Sequence, residues 1–413
     1  MGYKYNDQHR GSSDLYEKFS SSIINFINSL SQANWEKPWN SKTTFAENIS
    51  GRQYKGSNQV MLSLASLTKG YNIPVYMTYK QAKEHGATPL RGEKSTPIIH
   101  TKPFYKDKEG NSISEDEYNK LPEAEKDNYQ KRFGNYKLYN VFNIDQTNYQ
   151  QIHPEKYEEL RKKFVPEPLQ VDSSRLYTNE ALDRLVNENK WVCPIYNDKQ
   201  NESAFFSPST NIINIPSKQA FQTTGNNVID GQKYYATMLH EMAHSTGVLE
   251  GSSRDLTGFK ETKKYAREEL VAELSAAMVG LSLGFDKKIL QNNGNYLKSW
   301  LGALRNDPKE ITNAMKDVSK ATGVIYFKMN EQLKELNQPI ISAANAELNM
   351  DNAFKVDSEK LKDLPNVERI DNQQTKKKPF PEDKVFTSKE LENLYHNQDG
   401  LNIIEEYDNK IKA

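Results

Sequence analysis

The sequence predicts an α+β protein with a small mixed α/β module in front and a mainly helical module with a small β-sheet behind. Three observations carry this reading. Three helical stretches followed by strand-like ones fill the chain up to about residue 144, and long helical periodicities near 231–245 and 263–283, with a further helix start at 307–308, dominate the second half of the chain. Between the two lies HPEKYEELRKKFVPEPLQVD (153–172), polar and carrying prolines 154, 166 and 168, which reads as a linker.

In chain order, Leu15, Phe19, Ile23, Ile24, Phe26 and Ile27 fall at helical spacing, and NWEKPWN (34–40) breaks that helix. Leu62, Leu64 and Leu67 mark a second helix ended by Gly70. Thr78 and Gln81 have capping-box spacing at the head of a short helix closed by Gly86. ATPLRGEKSTPIIHTKPFY (87–105) reads as two strands joined at 91–94, residues 106–132 as a charged inserted loop or hairpin, and YKLYNVFNI (136–144) as a strand. Past the linker come a helix near 178–189, the strand WVCPIY, and the hairpin AFFSPSTNIINIP turning at 207–210. Two long helices come next, with Gly247 read as the C-cap of the first, and Asp307-Pro308 forms the N-cap and N1 of another. From about 345 the low hydrophobicity and the KKKP run predict a mobile tail, with KELENLYHNQ as a short helix. The expected modules are 1–152, a linker 153–176, 177–335, and an extension 336–413.

Fifty-five Lys and Arg balance fifty-five Asp and Glu, but unevenly. Residues 1–106 hold fourteen basic against seven acidic side chains, so the front carries +7 and the remainder −7. No run approaches the roughly 18 apolar residues of a membrane span. MGYKYNDQHRGSSD has no apolar signal region, and Asn6 stands where a myristoylation signal needs Ser or Thr. The single cysteine, Cys193, excludes an internal disulfide and reads as a small buried hydrophobe. The expectation is a cytoplasmic protein without a membrane partner.

HEMAHSTG (240–247) sits on the first long helix, which places His240 and His244 one turn apart on one face, as two ligands of one tetrahedral zinc require. Glu241 beside them is positioned to take a proton from the attacking water and pass it to a leaving amine. A catalytic zinc needs a third protein ligand. YAREELVAELSAAMVG (265–280) offers Glu269 and Glu273 at i and i+4 on a face otherwise Ala, Val and Leu, where a carboxylate is costly unless paired or metal-bound. Glu269 is assigned as third ligand and Glu273 as the carboxylate holding a ligand histidine; the spacing also permits the reverse, and Glu268 is a further choice. The alternatives are a structural metal and a solvated acidic helix beside a satisfied histidine pair.

The front module interleaves cations with rings, as nonspecific single-strand binding requires. Arg52, Lys55, Lys80, Arg91 and Lys94 are the phosphate candidates, and Tyr54 and Tyr79 the stacking candidates. The bland alternative is that the rings pack the core and the lysines are solvated. Arg-Gly-Glu-Lys-Ser (91–95) lacks the first glycine of a P-loop, and His85 and His100 have no partner at ligand spacing.

HEMAHSTG followed by YAREELVAELSAA resembles the zincin-like metallopeptidase domain of ArdC-type antirestriction proteins. NWEKPWN, GRQYKGSNQVMLSL, MTYKQAKEHGA, RGEKS and YNVFNIDQT resemble the single-stranded-DNA-binding domain that those proteins share with some plasmid primases. The resemblance covers roughly 14–330, in order, and omits the 106–132 insert and the tail. It implies a gluzincin-type HExxH domain, carriage on conjugative or other mobile elements, His240, His244 and Glu269 as ligands of one Zn2+ or another divalent metal, and Glu241 as general base. Single-stranded DNA and an unknown protein or peptide substrate are the implied partners. The rival functions are a DNA-coating antirestriction factor with a structural metal, and a protein-interaction adaptor with a basic face.

Overall fold

The computed structural model describes residues 8–30, 45–134, 136–164, 169–198, 203–256, 262–286, 289, 297–298, 300–302, 304, 306–341 and 354–357. The front is built on a four-stranded sheet of β1 (Glu47–Asn48), β2 (Val75–Thr78), β3 (Thr96–His100) and β7 (Lys137–Asn143), in the order β1-β2-β7-β3. β1 runs parallel to β2, and β7 is antiparallel to both of its neighbours.

Side chains alternate across the sheet, so it has two apolar faces. Tyr76, Ile98 and Val141 meet Leu62 of α2 (Gly56–Lys69) on one of them. Val75 and Met77 meet Ala82 of α3 (Tyr79–Glu84), Tyr149 of α6 (Tyr149–Ile152) and Tyr157 of α7 (Pro154–Lys163) on the other. Gly70 ends α2 at φ +66°, returning its N–H to Ser66 O, and the capping box of Thr78 and Gln81 opens α3.

Several sequence expectations change here. Residues 87–90 do not form a strand; Pro89 makes an isolated bridge to Thr147. The insert folds as a sheet of its own, β4 (Pro103–Lys106), β5 (Ser112–Ser114) and β6 (Gln130–Phe133), with α4 (Glu115–Asn119) and α5 (Glu123–Lys126) between its last two strands. It is closed by Tyr105 stacked on Tyr118 at 3.5 Å. The first part of the expected linker is α7, which with Phe164 just after it is anchored to the front core by buried Tyr157 and Phe164 and by Lys163 Nζ at 2.6 Å from the buried Glu47. NWEKPWN lies outside the described residues.

Behind it come α8 (Glu180–Asn187), the sheet β8 (Ile195–Tyr196), β10 (Ile212–Asn214), β9 (Phe205–Ser207), and three long helices: α9 (Asn227–Ser245), α10 (Thr262–Ser282) and α11 (Pro308–Glu335). The two halves share a core. Phe19, Ile23 and Ile27 of α1 (Gln8–Leu30) and Val60, Met61 and Leu64 of α2 pack with Leu270, Val271 and Leu274 of α10 and Ile311, Met315 and Val318 of α11. Part of the expected mobile tail is docked. Val356 bridges to Leu249, Asp357 N–H donates to Val248 O at 2.9 Å, and the Phe354 ring lies 4.7 Å from Phe327. KELENLYHNQ falls outside the described residues. Among those residues, no helix is long and apolar enough to cross a membrane.

Candidate metal centre

α9 begins where the Asn226 side chain accepts from the Val228 and Ile229 amides, satisfying two of the donors a helix start leaves open. It buries Tyr235, Met238, Leu239 and Met242 in the rear core. With those positions fixed, His240 and His244 turn toward α10, whose Ala272, Ala276 and Val279 enter that same core while Leu270, Val271 and Leu274 enter the shared one. The strip of α10 left over carries Glu269 and Glu273.

The two Nε2 atoms lie 3.0 Å apart. Glu269 spans them, with Oε2 3.5 Å from His240 Nε2 and Oε1 3.6 Å from His244 Nε2. These three residues offer ligand atoms all within 4.8 Å of one another. Ligands about 2.0–2.1 Å from a tetrahedral ion lie about 3.3–3.4 Å apart, so a divalent cation fits this donor set with shifts of a few tenths of an ångström.

The surroundings fix the donors. Glu268, a further choice for third ligand, points elsewhere: its Oε1 accepts from His244 Nδ1 at 3.0 Å. A carboxylate only accepts, so Nδ1 carries a proton and Nε2 is the atom whose lone pair a metal would take. Arg254, with no exposed side-chain surface, grips Glu268 through Nε at 2.8 Å and Nη2 at 2.9 Å, and donates to Ala243 O and Thr246 Oγ1 at the end of α9. Burial alone would raise the Glu268 carboxyl, but the charge and hydrogen bonds of Arg254 outweigh it and hold the group down at about 2. Glu273 lies 3.6 Å from His240 Nδ1, on the side where a carboxylate orients that ring. Burial works to lower both imidazoles, yet the carboxylates around them win: Glu273 and Glu269 hold His240 up at about 10, and Glu268 and Glu269 raise His244. This is a pocket of negative field that favours a cation.

Glu241 is buried beside the pair, and burial raises its carboxyl above the usual range. The Phe206 backbone amide on β9 faces it and works against that rise. Ile213 sends its N–H to Pro194 O on the β8 side, so the Ile213–Phe206 pair is not hydrogen-bonded and the Phe206 backbone faces outward, toward the histidines. β9 is thus an edge strand beside the centre.

Arg254 gave no signal in the sequence, because it comes from a loop and its role exists only in contact. Gly247 is not the C-cap it resembles. A Cβ there would sit 2.9 Å from Leu256 and 3.2 Å from Arg254 Nη2, so glycine leaves room for the guanidinium. Tyr265, bonded to Glu269, was also missed. Arg254→Lys keeps the charge but loses the fork, and should weaken divalent-metal affinity about 10–100-fold in competition with a chromogenic chelator. Unchanged affinity would reduce Arg254 to ordinary packing.

The nucleic-acid candidates of the front lie in three places. Arg52 and Lys55 are exposed between β1 and α2, Tyr79 (50% exposed) and Lys80 at the start of α3, and Arg91 and Lys94 in the 91–94 turn. Tyr54 is different. It packs edge-to-face on Tyr76 at 6.5 Å, and burial pushes its hydroxyl up to about 12, so core packing claims this ring.

Residues 13–142 match the N-terminal domain of anti-restriction factor ArdC, and residues 180–317 match the zincin-like metallopeptidase family. The chain is 30% identical over 307 residues to the DNA primase TraC of Escherichia coli, covering 73% of this chain but 26% of the primase, so it spans about a quarter of that relative's length. It is 26% identical over 323 residues to the uncharacterized protein y4eC of Sinorhizobium fredii, covering 77% of this chain and 93% of that one. The crystal structure of the antirestriction ArdC protein of plasmid R388, metal-free, superposes with a TM-score of 0.51 at 26% identity, over 77% of this chain and 98% of that one. With both domains matched in order, and a relative of solved structure matched over nearly its whole length, the chain belongs to the ArdC-like family, an N-terminal ArdC domain followed by a zincin-like metallopeptidase domain.

Proposed function

We propose that this chain is an antirestriction protein of a mobile element that binds single-stranded DNA and carries a zinc-dependent peptidase centre at His240, His244 and Glu269. The observation that carries the reading is the convergence of two imidazole Nε2 atoms and one carboxylate beside a buried glutamate and an outward-facing edge strand. Zinc bound there would supply Lewis acidity and lower the pKa of water. Glu241 takes the proton of the attacking water and delivers it to the leaving amine, helped by a carboxyl pKa already raised by burial. Glu268 and Glu273 hold the histidine rings. A peptide substrate lies along β9 as an added strand. The front module, basic by seven charges over residues 1–106, holds single-stranded DNA.

Two measurements test this. Purified protein should hold about one equivalent of zinc, and His244→Ala should lose it; full occupancy in that variant moves the site elsewhere. Both imidazoles are raised, so they must lose protons to bind the ion. Affinity should therefore rise with pH from neutrality toward about 10, and fall in acid. If manganese or another divalent ion outcompetes zinc, the centre stands but its metal is reassigned. Single-stranded DNA binding should weaken steeply with salt through counterion release, and indifference to salt would remove the basic-surface reading.

A further inference from the structure

Resting on the metal-centre reading above, we infer that residues 354–357 of the C-terminal extension are positioning residues for that centre. They strap down the loop that follows α9, and the loop carries Arg254 to Glu268 and so to His244. Both family matches, 13–142 and 180–317, end before this segment.

The strap meets the loop as one rung of antiparallel sheet. Val356 bridges to Leu249, the Glu250 amide donates to Lys355 O at 2.9 Å, and the Asp357 amide donates to Val248 O at 2.9 Å. Bonds that flank the pair in this way mark the register in which facing side chains come closest. Leu249 is buried in the rear core and Val356 packs against that core. On the outside, Lys355 Nζ lies 3.1 Å from Glu250. The other end of the strap is held by α11, where the Phe354 ring lies 4.7 Å from Phe327 and beneath Lys328 Nζ at 5.0 Å. The loop is thereby tied to α11.

From the strapped loop the contacts run inward to the histidine. The Arg254 amide donates to Gly247 O at 3.0 Å, and Ser252 donates from its hydroxyl to Thr246 O and from its amide to Leu249 O, so residues 246–254 close on themselves. Arg254 then reaches Glu268 at 2.8 and 2.9 Å, and Glu268 accepts from His244 Nδ1 at 3.0 Å. A surface loop opens most readily where few contacts hold it, and the strap adds two backbone hydrogen bonds and an apolar cover from outside. Without them Arg254 is seated for only a fraction of the time, and apparent metal affinity falls by that fraction.

The test measures zinc affinity of the full chain by competition with a chromogenic chelator, well below the melting temperature. Val356→Asp and Phe354→Ala should each weaken zinc binding about 3- to 10-fold, the effect of a loop seated for roughly a tenth to a third of the time. Val356→Ile, which keeps the apolar contact, should bind as the wild type does. In an Arg254→Lys background the two weakening substitutions should add less than about twofold, because the residue through which they act has already lost its grip. If their effects multiply in full there, or if they lower the melting temperature and leave zinc affinity unchanged, the strap is ordinary packing; the inference is overturned and the metal centre stands. Should Val356→Asp fail to fold, Phe354→Ala decides by the same comparison. If the wild type takes up no divalent ion, the metal-centre reading falls and the inference with it.

Discussion

Glu241→Gln is expected to lower any peptidase activity by about 10²–10⁴-fold, the usual share of general acid–base catalysis, while leaving zinc content and single-strand affinity near wild type. The side chains are nearly isosteric, and the amide oxygen can still face the Phe206 N–H as the carboxylate does. Only the base is removed. Glu241 is absent from the cluster of converging donors, so its loss should not cost the metal. A substrate screen in parallel with metal analysis separates three outcomes. Activity lost with zinc kept assigns the proton transfer to Glu241. Zinc lost as well means that the roles along the 240–244 helix are misassigned. If protection of entering DNA in a transfer assay persists in this variant, catalysis is dispensable for it and the chain acts by occupancy, with its metal structural.

Legibility in the sequence went with what is local in the chain. The i, i+4 spacing of His240 and His244, and of Glu269 and Glu273, depends only on helix geometry, so both pairs could be placed before any fold was known. The same holds for the caps at Thr78, Gly70 and Asp307, each set within four residues. The expectations that failed depended on distant partners. Residues 154–164 are charged enough to read as a linker, yet Tyr157 and Phe164 anchor them in a core that includes the distant Ile73, Val75, Met77, Ala82 and Ala87. Gly247 satisfies a helix-end pattern for a reason that lies in Arg254, and only that arginine shows why Glu268, left as a choice behind Glu269 and Glu273, turns to the His244 ring instead. The exposed Tyr139 and the packed Tyr54 both stand in polar, basic surroundings, and burial alone distinguishes them. The metal-site geometry was therefore more readable than the nucleic-acid surface, because helix periodicity orders the first and tertiary packing the second.

Residues 1–152 expressed alone should fail to fold cooperatively, whatever the matched domain boundaries suggest. Phe19, Ile23 and Ile27 of α1, with Val60, Met61, Leu64 and Leu67 of α2, belong to a core completed by α10 and α11. Losing that cover costs on the order of 1.5–3 kcal/mol for each large side chain fully exposed. Even if half of the burial survives within the fragment, the loss is comparable to the roughly 5–15 kcal/mol that holds a whole domain together. The full chain should therefore show one urea transition by tryptophan fluorescence and by circular dichroism together, and the fragment a broad, non-sigmoidal one with exposed apolar surface. Leu274→Asp gives the same test at one position. Its side chain is buried in the shared core one residue beyond Glu273, so it should loosen the front helices and weaken zinc binding at once. If the fragment melts sigmoidally and Leu274→Asp spares the front, the two cores are separable and the front module stands alone.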